Sequence, residues 1–223
     1  MTTSLAGRTI LLSGGTSAVG EAAARTALDR GATVVVAGHD PAKLDRMAEA
    51  LPGVRGAACD LTDEAAVRGL ADELHADVGR IDGVLHLVGG WRGGGGLAGQ
   101  TDDDFRFLER SLTALRHVTR AFDDDLRSSP AGRLAIVSST AVARPLAGGA
   151  NYAAVKAASE AWTRAVAQGF AKAARDASQP LAAASVVFRV KALDGLEQTL
   201  ADAFTGLWAA DAADVNDTVV TLG

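Results

Sequence analysis

A doubly wound α/β fold, one parallel sheet of about seven strands with helices on both faces, is what this sequence predicts. Three observations carry the expectation. From Arg8 to Phe188, short aliphatic or β-branched runs alternate with longer helical patterns, the rhythm of βαβ units. The short runs are continuously apolar, as strands buried on both faces require; a strand with one wet face would alternate polar and apolar residues. A glycine-rich turn, Ser13-Gly14-Gly15-Thr16-Ser17-Ala18-Val19-Gly20, joins the first run to the first helical segment.

The strands expected in order are Thr9–Ser13, Thr33–Ala37, Val54–Ala58, Gly83–Val88, Arg133–Ser138 and Ala183–Phe188, with Thr218–Leu222 last. Helices are expected near 18–30, 41–51, 62–78, 102–127, 151–175 and 194–209. Asp40-Pro41 and Thr62-Asp63-Glu64 read as helix starts, a capping side chain followed by proline or by acids in the first turn. Right-handed crossovers leave the strand order 3-2-1-4-5-6-7 as the simplest topology. No linker divides the chain, so residues 1–223 are read as one domain; the glycine-rich run 89–96 is too short to separate two and reads as a mobile loop.

Composition narrows the function classes. The chain has 223 residues, 48% of them hydrophobic, enough for one large core. A net charge of -5 gives no broad basic surface, so neither nucleic acid nor an anionic membrane is an expected partner. Cys59 is the sole cysteine, which rules out an intrachain disulfide, and the four histidines show no metal-binding spacing. Neither a targeting segment nor a run of the ~20 apolar residues that span a bilayer is visible, and a cytoplasmic protein acting on a small molecule is expected.

The glycine turn suits a dinucleotide: its backbone can approach a pyrophosphate whose charge meets the unpaired N–H groups of the following helix. Gly14, Thr16, Ser17, Ala18, Val19 and Gly20 are the binding candidates there. No acid stands at Gly38 to hold a free ribose 2'-hydroxyl and repel a phosphate, and His39 can assist a phosphate when protonated, although Asp40 argues the other way. The balance leans to NADP(H) over NAD(H). Asp60, followed by Leu61, reaches the adenine amino group or caps the next turn. Val88, Gly89 and Gly90, where the fourth strand opens into its loop, complete the cofactor candidates.

Chemistry is expected from Ser139, Tyr152 and Lys156. Tyrosine and lysine four apart share a helix face, so Lys156 can stabilise a tyrosinate and lower a phenol pKa that is ~10 when unperturbed. Tyr152 then serves as general acid/base. Ser139, at the end of the fifth strand, holds the substrate oxygen, and Lys156 also reaches the nicotinamide ribose.

These residues together resemble the short-chain dehydrogenase/reductase family over essentially the whole chain. Ser13, Gly14 and Gly20 match its Thr-Gly-x-x-x-Gly-x-Gly fingerprint, with Ala18 in the place of the middle glycine; Tyr152, Lys156 and Ser139 match its Tyr-x-x-x-Lys and upstream serine. The resemblance implies a Rossmann fold, NAD(P)-linked reduction of a carbonyl or unsaturated carbon–nitrogen system, and a homodimer or homotetramer paired through the helices at 102–127 and 151–175. The chain also departs from the family. His86-Leu87-Val88-Gly89 replaces Asn-Asn-Ala-Gly, Ser111 replaces the catalytic asparagine, and the Pro-Gly and lid after the sixth strand are missing.

Val88-Gly89-Gly90-Trp91-Arg92-Gly93-Gly94, with Ser111, is locally similar to the dihydropteridine reductases. Trp91 then offers a flat face to a quinonoid or pterin-like substrate or else covers the sheet edge or a subunit contact; Arg92 is an anionic-substrate contact or a solvated side chain. A catalytically impaired dinucleotide-binding sensor or scaffold is the alternative reading.

Overall fold

The computed structural model describes residues 3–223. It contains one seven-stranded sheet in the order β3-β2-β1-β4-β5-β6-β7, every neighbouring pair parallel. The strands are β1 (Thr9–Ser13), β2 (Thr33–Gly38), β3 (Val54–Ala58), β4 (Gly83–His86), β5 (Arg133–Ser139), β6 (Ala184–Val190) and β7 (Thr218–Leu222). The expected order holds, and most strand bounds fall within a residue or two of those read from the apolar runs.

The continuous apolar runs serve two cores at once. Successive side chains point to opposite faces: Ile10, Leu12, Val34 and Val36 join Ala23, Leu200 and Phe204 on one face. Leu11, Val35 and Val84 join Leu70, Val118, Phe122 and Phe170 on the other. The first core is covered by α1 (Ala18–Asp29), α2 (Pro41–Ala50) and α7 (Glu197–Gly206), the second by α3 (Glu64–Asp77), α4 (Asp102–Ala121) and α6 (Ala150–Asp176).

Helix starts follow their caps. Asp40 accepts from Lys43 N with Pro41 in the first turn, and Asp63 accepts from the amides of Ala65 and Ala66, so α3 begins at Glu64 rather than Thr62. The segment expected as one helix over 102–127 is two, α4 and α5 (Asp123–Ser128), broken at Phe122, whose fully buried ring anchors the bend. The expected strand Gly83–Val88 stops at His86. Leu87 N still donates to Ser13 O at 2.8 Å, but Val88 turns against Gly14, where a Cβ would lie 2.8 Å from Val88 N. After β6 only residues 191–196 lead to α7, followed by a 3-10 turn at Leu207–Ala209 and α8 (Ala212–Val215). That short link is the shortened lid the sequence implied.

Candidate active site

The carboxyl ends of β1, β2, β3 and β4 open onto a cleft of about 430 Å³ lined by Gly14, Thr16, Ser17, His39, Asp60, Leu61, Val88, Gly89, Gly90 and Ser111. This is where ligands bind in open α/β sheets. Gly14 has φ +76, and a Cβ there would strike Val88. A Cβ on Gly20 would overlap the Gly15 carbonyl and sit 2.7 Å from Gly15 Cα, so only glycine lets α1 start so close beneath the turn. Ser17 is the N-cap of α1 but makes no side-chain capping bond, and its exposed side chain borders the cleft. A glycine-rich backbone turn, facing a helix N-terminus, fits a dinucleotide pyrophosphate. Ala18, Val19 and Gly20 do not line the cleft; Val19 and Gly20 are buried behind the turn.

Further along the cleft, the Asp60 carboxylate accepts from Thr62 N at 2.9 Å and from Thr62 Oγ1 at 2.7 Å, capping its turn. Those bonds hold its pKa below the usual carboxylate range. Asp40 is engaged in capping α2, and His39 is exposed at the rim. The Cys59 thiol, pushed up to about 11 chiefly by burial, stays protonated at neutral pH.

His86 ties the floor of the site together. Its Nδ1 lies 2.8 Å from Ser13 Oγ and its Nε2 3.1 Å from the Ser111 carbonyl. A carbonyl only accepts, so Nε2 carries the proton and Nδ1 accepts from the Ser13 hydroxyl. Burial, the dominant cause, drives the imidazole pKa down to about 3, so the ring is neutral. The Ser111 hydroxyl donates to Leu108 O at 2.8 Å, turned back onto its own helix.

Beyond β4 and β5 a second cavity, about 690 Å³, is lined by Trp91, Ser139, Thr140, Arg144, Leu146, Tyr152 and Lys191 among others. Ser139 sits at the end of β5 and Tyr152 in the first turn of α6, which brings their side chains within hydrogen-bonding reach. Ser139 Oγ also accepts from Ala141 N at 3.1 Å, which fixes its rotamer. Lys156 lies between the two cavities: its Nζ would be 3.7 Å from a Cβ on Gly89, donates to Val137 O at 2.7 Å, and stands 5.8 Å from the Tyr152 ring centroid.

Here the electrostatics differ from the expectation. Burial raises the Tyr152 phenol above its usual value, offset in part by the Ser139 hydrogen bond; Lys156 donates a hydrogen bond to the Val137 carbonyl. Lys156 itself is pushed down to about 8 by burial, with Glu160 acting the other way. Glu160 is held by Ser138 Oγ at 2.6 Å and by both Nε and Nη2 of Arg189.

Residues 8–174 match the short chain dehydrogenase family. The chain belongs to that family. A (5R,7aS)-5-hydroxy-7a-methyl-1-oxo-2,3,5,6,7,7a-hexahydro-1H-indene-carboxyl-CoA reductase of Mycobacterium tuberculosis is 35% identical over 153 residues, 66% of this chain and 58% of that protein. The match thus spans little more than half of that curated relative's length. Among solved structures, a gluconate 5-dehydrogenase from Burkholderia cenocepacia in complex with NADP and tartrate superposes with TM-score 0.82 at 21% identity, covering 98% of this chain and 94% of that one. An NAD+-bound xylitol dehydrogenase superposes with TM-score 0.83 at 17% identity, covering 97% and 98%.

Within this short chain dehydrogenase frame, several site residues carried no sequence signal. Gln100 Nε2 donates to the carbonyls of Gly94, Gly96 and Gly148, and its Oε1 accepts from Asn151 N, so the glycine run after β4 is pinned to the start of α6. Trp91 is 62% exposed and lines the second cavity. Arg92 does not line it: its guanidinium stacks 4.0 Å above the Phe107 ring, donates to Trp91 O, and lies 4.0 Å from Asp104. Arg144 and Lys191 stand at the cavity instead, in loops where no periodicity marks them.

Proposed function

We propose that this chain is an NAD(P)H-dependent oxidoreductase that reduces a carbonyl or a quinonoid, pterin-like system, with Tyr152 as the general acid. The observation that carries this reading is the grouping of Ser139 and Tyr152 on the second cavity with Lys156 beside Gly89, a residue of the glycine-turn cleft. The bound dinucleotide supplies the hydride. Gly14, Thr16 and Ser17, with the α1 N-terminus, hold its pyrophosphate; Asp60 and Leu61 flank the adenine; Val88, Gly89 and Gly90 leave room for the nicotinamide half.

Ser139 Oγ orients the substrate oxygen beside the Tyr152 hydroxyl, which delivers a proton as negative charge develops there. A phenol held above its ordinary pKa keeps that proton until the oxygen needs it. Lys156, anchored on Val137 O, places its ammonium beside the nicotinamide ribose and Tyr152. Asp40 is committed to its cap and Gly38 carries no acid, which favours NADP(H) over NAD(H). Ser111 borders the cleft but turns its hydroxyl onto Leu108 O, so it acts here by holding the His86 ring through its carbonyl.

Titration with NADPH and NADH, followed by tryptophan fluorescence, comes first; no quenching with either removes the reading. Ketones, quinones and a quinonoid dihydropterin are then offered to the native chain and to Tyr152→Phe. The variant is expected to lose about 10²–10⁴-fold in kcat while keeping cofactor affinity. Equal turnover by both would remove Tyr152 from the mechanism. Cofactor binding with no turnover of any compound would favour the sensor.

A further inference from the structure

The second cavity has a charge pattern of its own. Two of its lining side chains, Arg144 and Lys191, are cationic and exposed, and no lining residue is acidic. That is notable in a chain with 27 acids against 22 Lys and Arg. Most arginines on this surface have found a carboxylate; among the described residues neither Arg144 nor Lys191 has one within 4.0 Å. Arg92, the other cation of the region, is satisfied by Phe107 and Asp104.

The pair is also held in register with the reacting groups. Ser139 on β5 is paired with Val190 on β6, and Lys191 is the next residue along. Arg144 lies in the segment between β5 and α6, bounded by the 3-10 turns Thr140–Val142 and Ala147–Gly149. The lining that holds Tyr152 and these cations also includes Trp91, a flat apolar face 62% exposed, and Leu146, 74% exposed. Exposed apolar side chains beside uncompensated cations make a surface for a molecule that is ring-like at one end and anionic at the other.

We infer that the molecule reduced here is a ring-bearing carbonyl compound with an anionic substituent, whose ring rests on Trp91 and Leu146 and whose charge is read by Arg144 and Lys191. This rests on the oxidoreductase reading above and names its substrate class. The guanidinium fork can take two oxygens of a carboxylate or phosphate, and the ammonium adds a point charge beside it.

The test uses the full chain with NADPH and three matched probes: a cyclohexanone carboxylate, its methyl ester and the corresponding phosphonate. Binding is followed by tryptophan fluorescence and turnover by cofactor oxidation. The carboxylate, or the phosphonate if the natural anion is a phosphate, is expected to show a KM about tenfold below that of the ester. Arg144→Gln and Lys191→Gln should each shrink that preference several-fold, as should raised salt, with folding checked by circular dichroism. Equal KM values for ester and anions, a preference unchanged in both variants, or no binding of either anion overturns the inference. Turnover of all three probes without preference leaves the reductase standing and removes only the anion; tight binding of an anion that is never reduced does the reverse.

Discussion

The ammonium of Lys156 donates to the carbonyl oxygen of Val137 at 2.7 Å, tying the first half of α6 to β5 just upstream of Ser139. The strand that presents the serine therefore also sets the position of the lysine.

Burial lowers the Lys156 pKa to about 8, so its charge is lost as the pH rises through that value. Dinucleotide affinity, read by fluorescence titration across neutral to alkaline pH, is expected to be constant below the break and to fall above it, by up to about tenfold per pH unit. Lys156→Gln should bind weakly with a flat profile. A native profile without a break in this range would show that the ammonium does not contact the cofactor.

His86 makes a prediction for stability. Its folded pKa is depressed to about 3, while the unfolded ring titrates near ~6.5. Between these values the unfolded chain holds a proton that the folded chain refuses. Stability is full above about pH 6.5 and declines below it, at up to ~1.4 kcal/mol per pH unit. Urea unfolding between mildly acidic and neutral pH, before most carboxylates titrate, should show this slope, and His86→Gln should flatten it. An identical slope in the variant would assign the acid sensitivity elsewhere.

Gly20→Ala puts a methyl group into the Gly15 carbonyl beneath the cofactor turn. Backbone must move, and a loss of about 1–3 kcal/mol in unfolding free energy is expected, together with loss of dinucleotide quenching. Undiminished binding at native stability would mean that the turn is looser than its geometry.

Gln100 tests the glycine run. Gln100→Ala releases the carbonyls of Gly94, Gly96 and Gly148 and the amide of Asn151 together. The cavity wall carrying Trp91 loosens while the cleft at β1 to β3 is untouched. KM for the carbonyl substrate should rise by about fivefold or more, with cofactor affinity held, since ordering this wall must then be done by the ligand. A rise in cofactor Kd instead would place Gln100 in the cleft.

The sheet was legible because each of its strands is a local event: a short apolar run buried on both faces can be seen without knowing its neighbours. The Tyr152–Lys156 pair was legible for the same reason, since helical spacing alone puts the two on one face. What escaped were features decided by distant contacts. Val88 leaves β4 early because of Gly14, and the amphipathic pattern runs on through Phe122, so the break between α4 and α5 left no mark. The direction of the Tyr152 shift depends on burial outweighing the hydrogen bond with Ser139, a balance that spacing does not reveal. Gln100, Arg144 and Lys191 act from irregular segments, where no period distinguishes a working side chain from a solvated one.

Because only residues 191–196 separate β6 from α7, this chain has too little length there to fold a flap across the mouth beside Lys191. Arrival and departure on that side then need no hinge, and no closing step of this segment should limit turnover. The same openness lets bulky or oddly shaped guests try the site, so discrimination has to come from fixed walls and charge, not from being enclosed.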